Sequence, residues 1–181
     1  RYTDYFLREE LSILNAIPTA EGAIQIAMEE MPVTIYGMHV LVIGYGRISK
    51  VLSRLLKGMG ADVTVSARKF SDLAWIETNG YHPASTCHLE EVLPHCQLIV
   101  NTVPAAVLNE ELLALVPRDC LLIDLASKPG GIDFTTANHM GLKAIWALSL
   151  PGKVAPVTAG KIIFSTMQNI DSERRNGYGE N

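Results

Sequence analysis

From Met38 onward, short apolar runs alternate with stretches in which apolar residues recur every three or four positions. The runs are His39–Ile43, Asp62–Val65, Gln97–Val100, Cys120–Ile123 and Leu142–Ile145, with a shorter one near Gly80–His82. Each has strand length and is bounded by Gly, Pro, Asp or Asn. Their apolar character is nearly continuous, as expected of a parallel sheet covered on both faces. After the first run, Ile48, Val51, Leu52, Leu55, Leu56 and Met59 form a helical stripe, with Arg47, Lys50, Arg54 and Lys57 on the polar side. Gly58 and Gly60 end that helix. Further helices are predicted near 72–79, 89–93, 109–115 and 133–140. Strand and helix alternating in this way specify an α/β fold, a doubly wound parallel sheet in three αβα layers with right-handed crossovers.

Two segments flank this core. Ala20, Ala23, Ile24, Ala27, Met28 and Met31 make the stripe of an earlier helix, with Thr19 placed to cap it, Glu21 near its N-terminal dipole and Pro32 to stop it. Ala159, Ile162, Ile163, Met167 and Ile170 mark a last helix, followed by a polar tail over 172–181 that reads as loose. The chain divides into a linker and helix segment (1–35), a nucleotide-binding core (36–158) and a C-terminal helix with its tail (159–181).

Composition narrows the class. Of 181 residues, 48% are hydrophobic and 19% charged, which fits one filled core and excludes a disordered chain. Net charge is −4 with scattered Lys and Arg, so no nucleic-acid partner is expected. No apolar run approaches the roughly 18 residues that cross a bilayer, and the polar start is no secretory signal. A chain without an initiator Met is expected to be a fragment or a processed product. Cys87, Cys96 and Cys120 form no CxxC, and Cys87-His88 with His95-Cys96 match no zinc spacing. No metal is expected, and the thiols suit a reducing, cytoplasmic setting.

The chemistry begins directly after the first run, at Gly44-Tyr45-Gly46-Arg47-Ile48-Ser49. This is GxGxxG with Ser in the third small position. The first glycine permits the tight turn, the second lets a pyrophosphate reach the backbone, and the third position must be small so that helix and strand close together. Helix-opening amides then face the phosphates. Between an apolar run and an amphipathic helix, the motif defines a Rossmann-type site for a nicotinamide dinucleotide.

About 20 residues further on, NAD enzymes place an acid on the ribose hydroxyls. Here the second run continues Ser66-Ala67-Arg68-Lys69 with no carboxylate. Ser66, Arg68 and Lys69 could instead bond and neutralise a 2′-phosphate, which favours NADP over NAD; solvated loop cations that tolerate either cofactor are the alternative. The missing acid also argues against an S-adenosylmethionine site. Ligands of such sheets lie beyond the carboxyl ends of the strands, which brings in Asn101-Thr102-Val103-Pro104, Ala126-Ser127 with Lys128, and the Leu148–Lys153 stretch with Pro156 beyond it. Asn101 reads equally as a cofactor contact or a turn-former. Asp124 reads as a buried carboxylate that needs partners.

More specific segments carry a family resemblance. Pro18–Ala23, Val42–Ile48, Asn101–Pro104 and above all Asp124–Gly131 and Leu150–Gly160 resemble the C-terminal two-thirds of the dipicolinate synthase A-subunit family of spore-forming bacteria. More distantly the layout is similar to D-2-hydroxyacid dehydrogenases and adenosylhomocysteinase. The resemblance implies oxidation of a dihydrodipicolinate-type ring to pyridine-2,6-dicarboxylate, with hydride passing to NADP. It implies the flavoprotein-like B subunit of dipicolinate synthase as partner, sporulation as the setting and the mother-cell cytoplasm as the location, and it is compatible with a homo-oligomer. It also implies that an N-terminal domain, closing over the substrate, lies outside this chain. Lys128 and Lys153, near the expected cleft, are candidates for the substrate carboxylates; Thr19 borders it, although a cap role accounts for Thr19 as well. The catalytic base is unassigned, because His82, His88, His95 and His139 fall away from the strand ends. A dehydrogenase for another 2-oxo or 2-hydroxy acid, and a non-catalytic nicotinamide redox sensor, are the alternatives.

Overall fold

A computed structural model describes residues 4–176. Six strands form one sheet: β1 His39–Ile43, β2 Asp62–Ala67, β3 His82–Ser85, β4 Leu98–Asn101, β5 Leu121–Asp124 and β6 Lys143–Trp146. All pairings are parallel, in the order β3-β2-β1-β4-β5-β6. The helices are α1 Glu9–Glu30, α2 Arg47–Gly58, α3 Phe70–Thr78, α4 Glu110–Leu113, α5 Phe134–His139, α6 Leu150–Val154 and α7 Pro156–Asn176. The winding reverses between β1 and β4, so the loops after these two strands part to opposite faces and leave a crevice between them.

Strand β1 explains why polarity does not alternate along it. Val40 and Val42 bury against Leu52 and Leu56 of α2 and Ala23 and Ala27 of α1. Leu41 and Ile43 bury against Leu113 of α4 and Ala137 of α5. With a layer on each side, all four positions from Val40 to Ile43 leave water, and each aliphatic side chain contributes about 1.5–3 kcal/mol in doing so.

Three expectations are corrected. The helix predicted over 89–93 is a single turn, with Leu93 N–H donating to Leu89 O at 3.0 Å, followed by a short 3-10 turn at Leu93–His95. Leu89 and Leu93 are indeed buried, but Pro94 has no N–H with which to extend the turn into an α-helix.

The first helix starts ten residues before its expected start at Thr19, at Glu9, and runs through Pro18. Thr19 is therefore no cap. It lies mid-helix, its hydroxyl donating to Asn15 O at 2.7 Å. Glu9 and Glu10, rather than Glu21, supply the acid of the first turn. Pro18 resembles a first-position proline, but it is buried along with Leu11, Ala16 and Ala20, and packing outweighs the one lost backbone bond. Met31, next to Pro32, leaves the helix in extended geometry as expected.

The last helix begins at Pro156 and continues to Asn176, so 172–176 are helical rather than loose; 177–181 lie outside the described residues. Arg8, at the N-cap of α1, explains the extension. Its Nη1 and Nη2 donate to the two carboxylate oxygens of Glu173 at 2.8 and 2.6 Å, and its Nε donates to Glu10 at 2.8 Å. The fork holds the end of α7 to the start of α1.

That fork makes the α1–α7 contact sensitive to acid. The hydrogen bond from Arg8 holds the Glu173 carboxyl below its ordinary range. Its contribution is complete above the unfolded glutamate value of about 4.3 and is lost as pH falls through the lower folded value. Protection factors along 165–176, taken relative to the intrinsic exchange rate at each pH, should therefore fall on acidification in the wild type. Glu173→Gln should already exchange fast at neutral pH, and exchange that ignores both changes would contradict the clamp.

Candidate functional site

The carboxyl ends of β1, β2, β3 and β4 open on a cleft of about 460 Å³. Its floor is the loop between β1 and α2. Gly44 sits at φ +96°, a conformation that L side chains rarely adopt, and a Cβ there would lie 2.7 Å from both Thr102 Oγ1 and Val103 Cγ2. Gly46, the N-cap of α2, has open space where its Cβ would be. Ser49 fills the third small position, fully buried against the strand layer.

The helix that starts here is electrostatically unlike its neighbours. Glu9 and Glu10 open α1, and Glu110 and Glu111 open α4 beneath the Asn109 cap. Among the described residues, α2 has neither a side-chain cap nor an acid in its first turn. Its opening amides at Arg47, Ile48 and Ser49 have no intrahelical partner and carry the positive end of the dipole. The Arg47 guanidinium turns away to pair with Glu9 of α1. A positive-φ glycine, an open glycine and an uncapped helix start fit a dinucleotide diphosphate.

The opposite rim is held by a buried carboxylate. Asp124, at the end of β5, is 0% exposed. Its Oδ1 accepts from Asn101 Nδ2 at 2.8 Å and Ala126 N–H at 3.0 Å. Its Oδ2 accepts from Gly131 N–H at 2.7 Å and Ile132 N–H at 3.2 Å. Asn101 passes the constraint on: Nδ2 donates to Val103 O at 2.9 Å and Oδ1 accepts from Val103 N–H at 3.2 Å. Between the two readings of Asn101, the geometry selects the turn-former, because the side chain is fully buried and its polar atoms are engaged. Gly131 leaves no room for a side chain here, since a Cβ would come within 2.8 Å of Val103 O. Thr102 completes the join, its Oγ1 donating to Ile43 O at 2.8 Å.

At the end of β2, Ala67, Arg68 and Lys69 line the cleft as expected, with both cations exposed. Ser66 does not. The strand runs two residues beyond the predicted run, so Ser66 is fully buried, its hydroxyl accepting from Thr86 Oγ1 at 3.1 Å and its carbonyl from Gly44 N–H at 3.0 Å. It braces the phosphate loop and is closed to ligand.

Sequence reasoning missed Asp72, Thr86, Cys87 and the Ala105–Val107 segment, all of which line the cleft. Asp72 is the consequential one. It stands one turn beyond Arg68, in the first turn of α3, where it reads simply as a dipole-matched acid. Burial first, then the fields of Tyr81 and Asp72, raise the Tyr45 phenol above its ordinary value.

Other predicted residues stand elsewhere. Ala126, Ser127, Lys128, Lys153, Pro156 and Thr19 lie outside this cleft, as do Ile48 and the exposed Pro104. Ala126 is buried, its carbonyl accepting from Trp146 Nε1 at 3.0 Å, while Ser127, Lys128 and Lys153 are exposed. Ser149 turns the chain from β6 into α6 at φ 61°, a left-handed conformation that a residue other than glycine keeps only where its surroundings hold it.

Residues 17–128 match the D-isomer specific 2-hydroxyacid dehydrogenase, NAD binding domain, and the chain belongs to that family. It thus contains a nicotinamide-dinucleotide-binding domain of oxidoreductase type. Within that class, the chain is 39% identical over 168 residues to the A subunit of dipicolinate synthase from Bacillus subtilis, covering 93% of this chain and 57% of that protein. It corresponds to the C-terminal, NAD-binding part of such a protein. Two crystal structures agree: the A subunit of dipicolinate synthase from Bacillus halodurans (TM-score 0.91, 39% identity, 93% of this chain and 58% of that one) and its counterpart from Bacillus subtilis (TM-score 0.93, 38% identity, 95% and 58%). A Sinorhizobium meliloti transhydrogenase shares the fold at TM-score 0.75 and 15% identity, over 90% of this chain and 55% of that one. No helix among the described residues is long and apolar enough to cross a membrane.

Replacing Asp124 by Asn would strip the charge from the buried network and turn a donor toward the N–H groups of Gly131 and Ile132. Denaturant unfolding should register a loss on the order of 3 kcal/mol. Near-neutral stability would mean the carboxylate is not what holds this rim.

Proposed function

We propose that this chain is the NADP(H)-binding part of an oxidoreductase that aromatises a dihydrodipicolinate-type ring to pyridine-2,6-dicarboxylate. The observation that carries the cofactor choice is the pair of exposed cations, Arg68 and Lys69, at the end of β2 and across the cleft from the phosphate loop. The likeness to the A subunit of dipicolinate synthase supports the substrate class. The chain spans 57% of the length of that relative, and the complete activity is part of this proposal. The proposal extends to the flavoprotein-like B subunit of the same enzyme as partner, a role in sporulation and a mother-cell cytoplasmic location, as the family resemblance implies.

In this function the diphosphate rests on the amides of Arg47, Ile48 and Ser49, over Gly44 and Gly46, beside Tyr45. Arg68 and Lys69 neutralise the adenosine 2′-phosphate from the solvent side, with Ala67 beneath it. Val103, positioned by Asn101 and Thr102, forms the wall toward the nicotinamide end, with Pro104, Ala126, Ser127 and Pro156 beyond it. When bound, the nicotinamide supplies a two-electron hydride acceptor. The reaction releases a hydride from a ring carbon and a proton from the ring, and the chain's part is to orient that carbon and hold the two carboxylates. Lys128 and Lys153 hold them, and Thr19 borders the space between.

A second cofactor reading has its own observation. Asp72 lines the same cleft, and a carboxylate there suits the ribose hydroxyls of NAD and repels a 2′-phosphate. Arg68→Asp separates the two. For NADP(H), its dissociation constant for NADPH should rise by the equivalent of about 1–3 kcal/mol while that for NADH changes little, and Asp72→Asn should tighten NADPH. Equal losses for both cofactors in nicotinamide-fluorescence titrations would refute the 2′-phosphate assignment, and no saturable response to either would remove the enzyme altogether.

A further inference from the structure

On the outer side of Tyr45, a second recess of about 390 Å³ opens between α2 and α3. Tyr45, Trp75 and Tyr81 supply its aromatic walls, Lys50 and Arg54 its charge, and Asn79 its amide. Of these residues Tyr45 alone also borders the dinucleotide cleft. The volume lies within the range of small-molecule sites, about 300–1,000 Å³.

The recess is braced from behind. Lys57 Nζ donates to Asn79 O at 2.9 Å and Gly80 O at 2.8 Å, closing the C-terminal end of α3, and lies 5.2 Å from the centre of the Tyr81 ring. Asn79 Nδ2 donates to Trp75 O at 2.7 Å and reaches the Tyr45 hydroxyl at 3.4 Å. The inward-facing groups are less committed. Lys50 Nζ sits 5.1 Å above the Tyr45 ring. Among the described residues neither Lys50 nor Arg54 is ion-paired with a carboxylate. Trp75, a large apolar ring, is 64% exposed. Among the described residues no carboxylate lines the recess, and Asp72 lies on the cleft side of Tyr45.

An uncovered indole and a phenol ring beside two cations one helical turn apart are complementary to a flat ring bearing negative charge. The ring gains by stacking, and the charge by hydrogen bonds to Lys50 and Arg54. We propose that the recess between α2 and α3 is a second binding site, for a small planar aromatic anion, with its ring against Trp75 and Tyr81 and its carboxylate or phosphate on Lys50 and Arg54. The site goes beyond the dinucleotide reading and stands independently of it. Aromatic carboxylates and nucleoside monophosphates share this chemistry.

Calorimetric titration distinguishes the sources and tests the site. The chain is titrated with pyridine-2,6-dicarboxylate, with adenosine monophosphate and with inorganic phosphate, each with and without saturating NADP. Saturable binding of at least one aromatic anion is expected with NADP present, weakened roughly tenfold or more, about 1.4 kcal/mol, by Arg54→Glu. It should be little changed by Arg68→Asp, whose side chain belongs to the cleft, and which aromatic anion binds identifies the source. Arg54 is exposed on α2, so its replacement leaves the core intact. The proposal is overturned by no saturable heat from either aromatic anion, by binding that NADP abolishes, or by equal affinity in Arg54→Glu. Loss in Lys128→Ala instead would place the ligand at the reaction site, and equal binding of inorganic phosphate would reduce the recess to a general anion attractor.

Discussion

A carboxylate sealed inside the sheet organises one whole wall of the cleft. Asp124 is out of contact with solvent and accepts from four donors, which span the end of β4, the end of β5 and the turn at Gly131–Ile132. Burying such a charge is costly unless it is fully satisfied, so the four donors cannot drift independently. Through Asn101 the constraint reaches Val103, and Val103 with Thr102 stands where only a glycine at position 44 fits beneath. The phosphate loop thus inherits its shape from a group that no ligand touches.

On the other side of the crevice the constraint is an absence of competition. Unlike α1 and α4, α2 opens with free amides and no acid, and the Arg47 guanidinium is diverted to Glu9. In the proposed site the diphosphate would meet backbone dipoles rather than a side chain. In the proposed reading, cofactor choice is set separately, at the end of β2, where Arg68, Lys69 and Asp72 line the cleft within a few residues. Tyr45 borders both this cleft and the second recess.

Much of this was legible from residues alone. The strands, the amphipathic α2 and the glycine loop follow from local periodicity and backbone sterics, which leave direct marks in sequence. Asp124 was readable as a buried carboxylate because it ends an otherwise apolar run. What was illegible depends on partners distant in the chain. Pro18 imitates a helix start, and only its burial beside Leu11 and Ala20 reveals a helix interior. The polar end of α7 gains its order from Arg8, 165 residues away. Ser66 seemed available to a phosphate until two more residues of strand carried it inside. Asp72 and Trp75 look like ordinary helix-surface residues, and only the packing of α3 gives them their places at the cleft and the recess.

The central claim is that a diphosphate is held by the amides that open α2. Backbone amide resonances followed during titration with NADP test it directly. The account predicts that the largest saturable shifts fall on Arg47, Ile48 and Ser49, together with Gly46, and that Gly46→Val, whose Cβ meets no neighbouring atom but projects where the diphosphate would lie, abolishes them while the fold persists. Shifts concentrated elsewhere, with these amides unmoved at saturation, would contradict it.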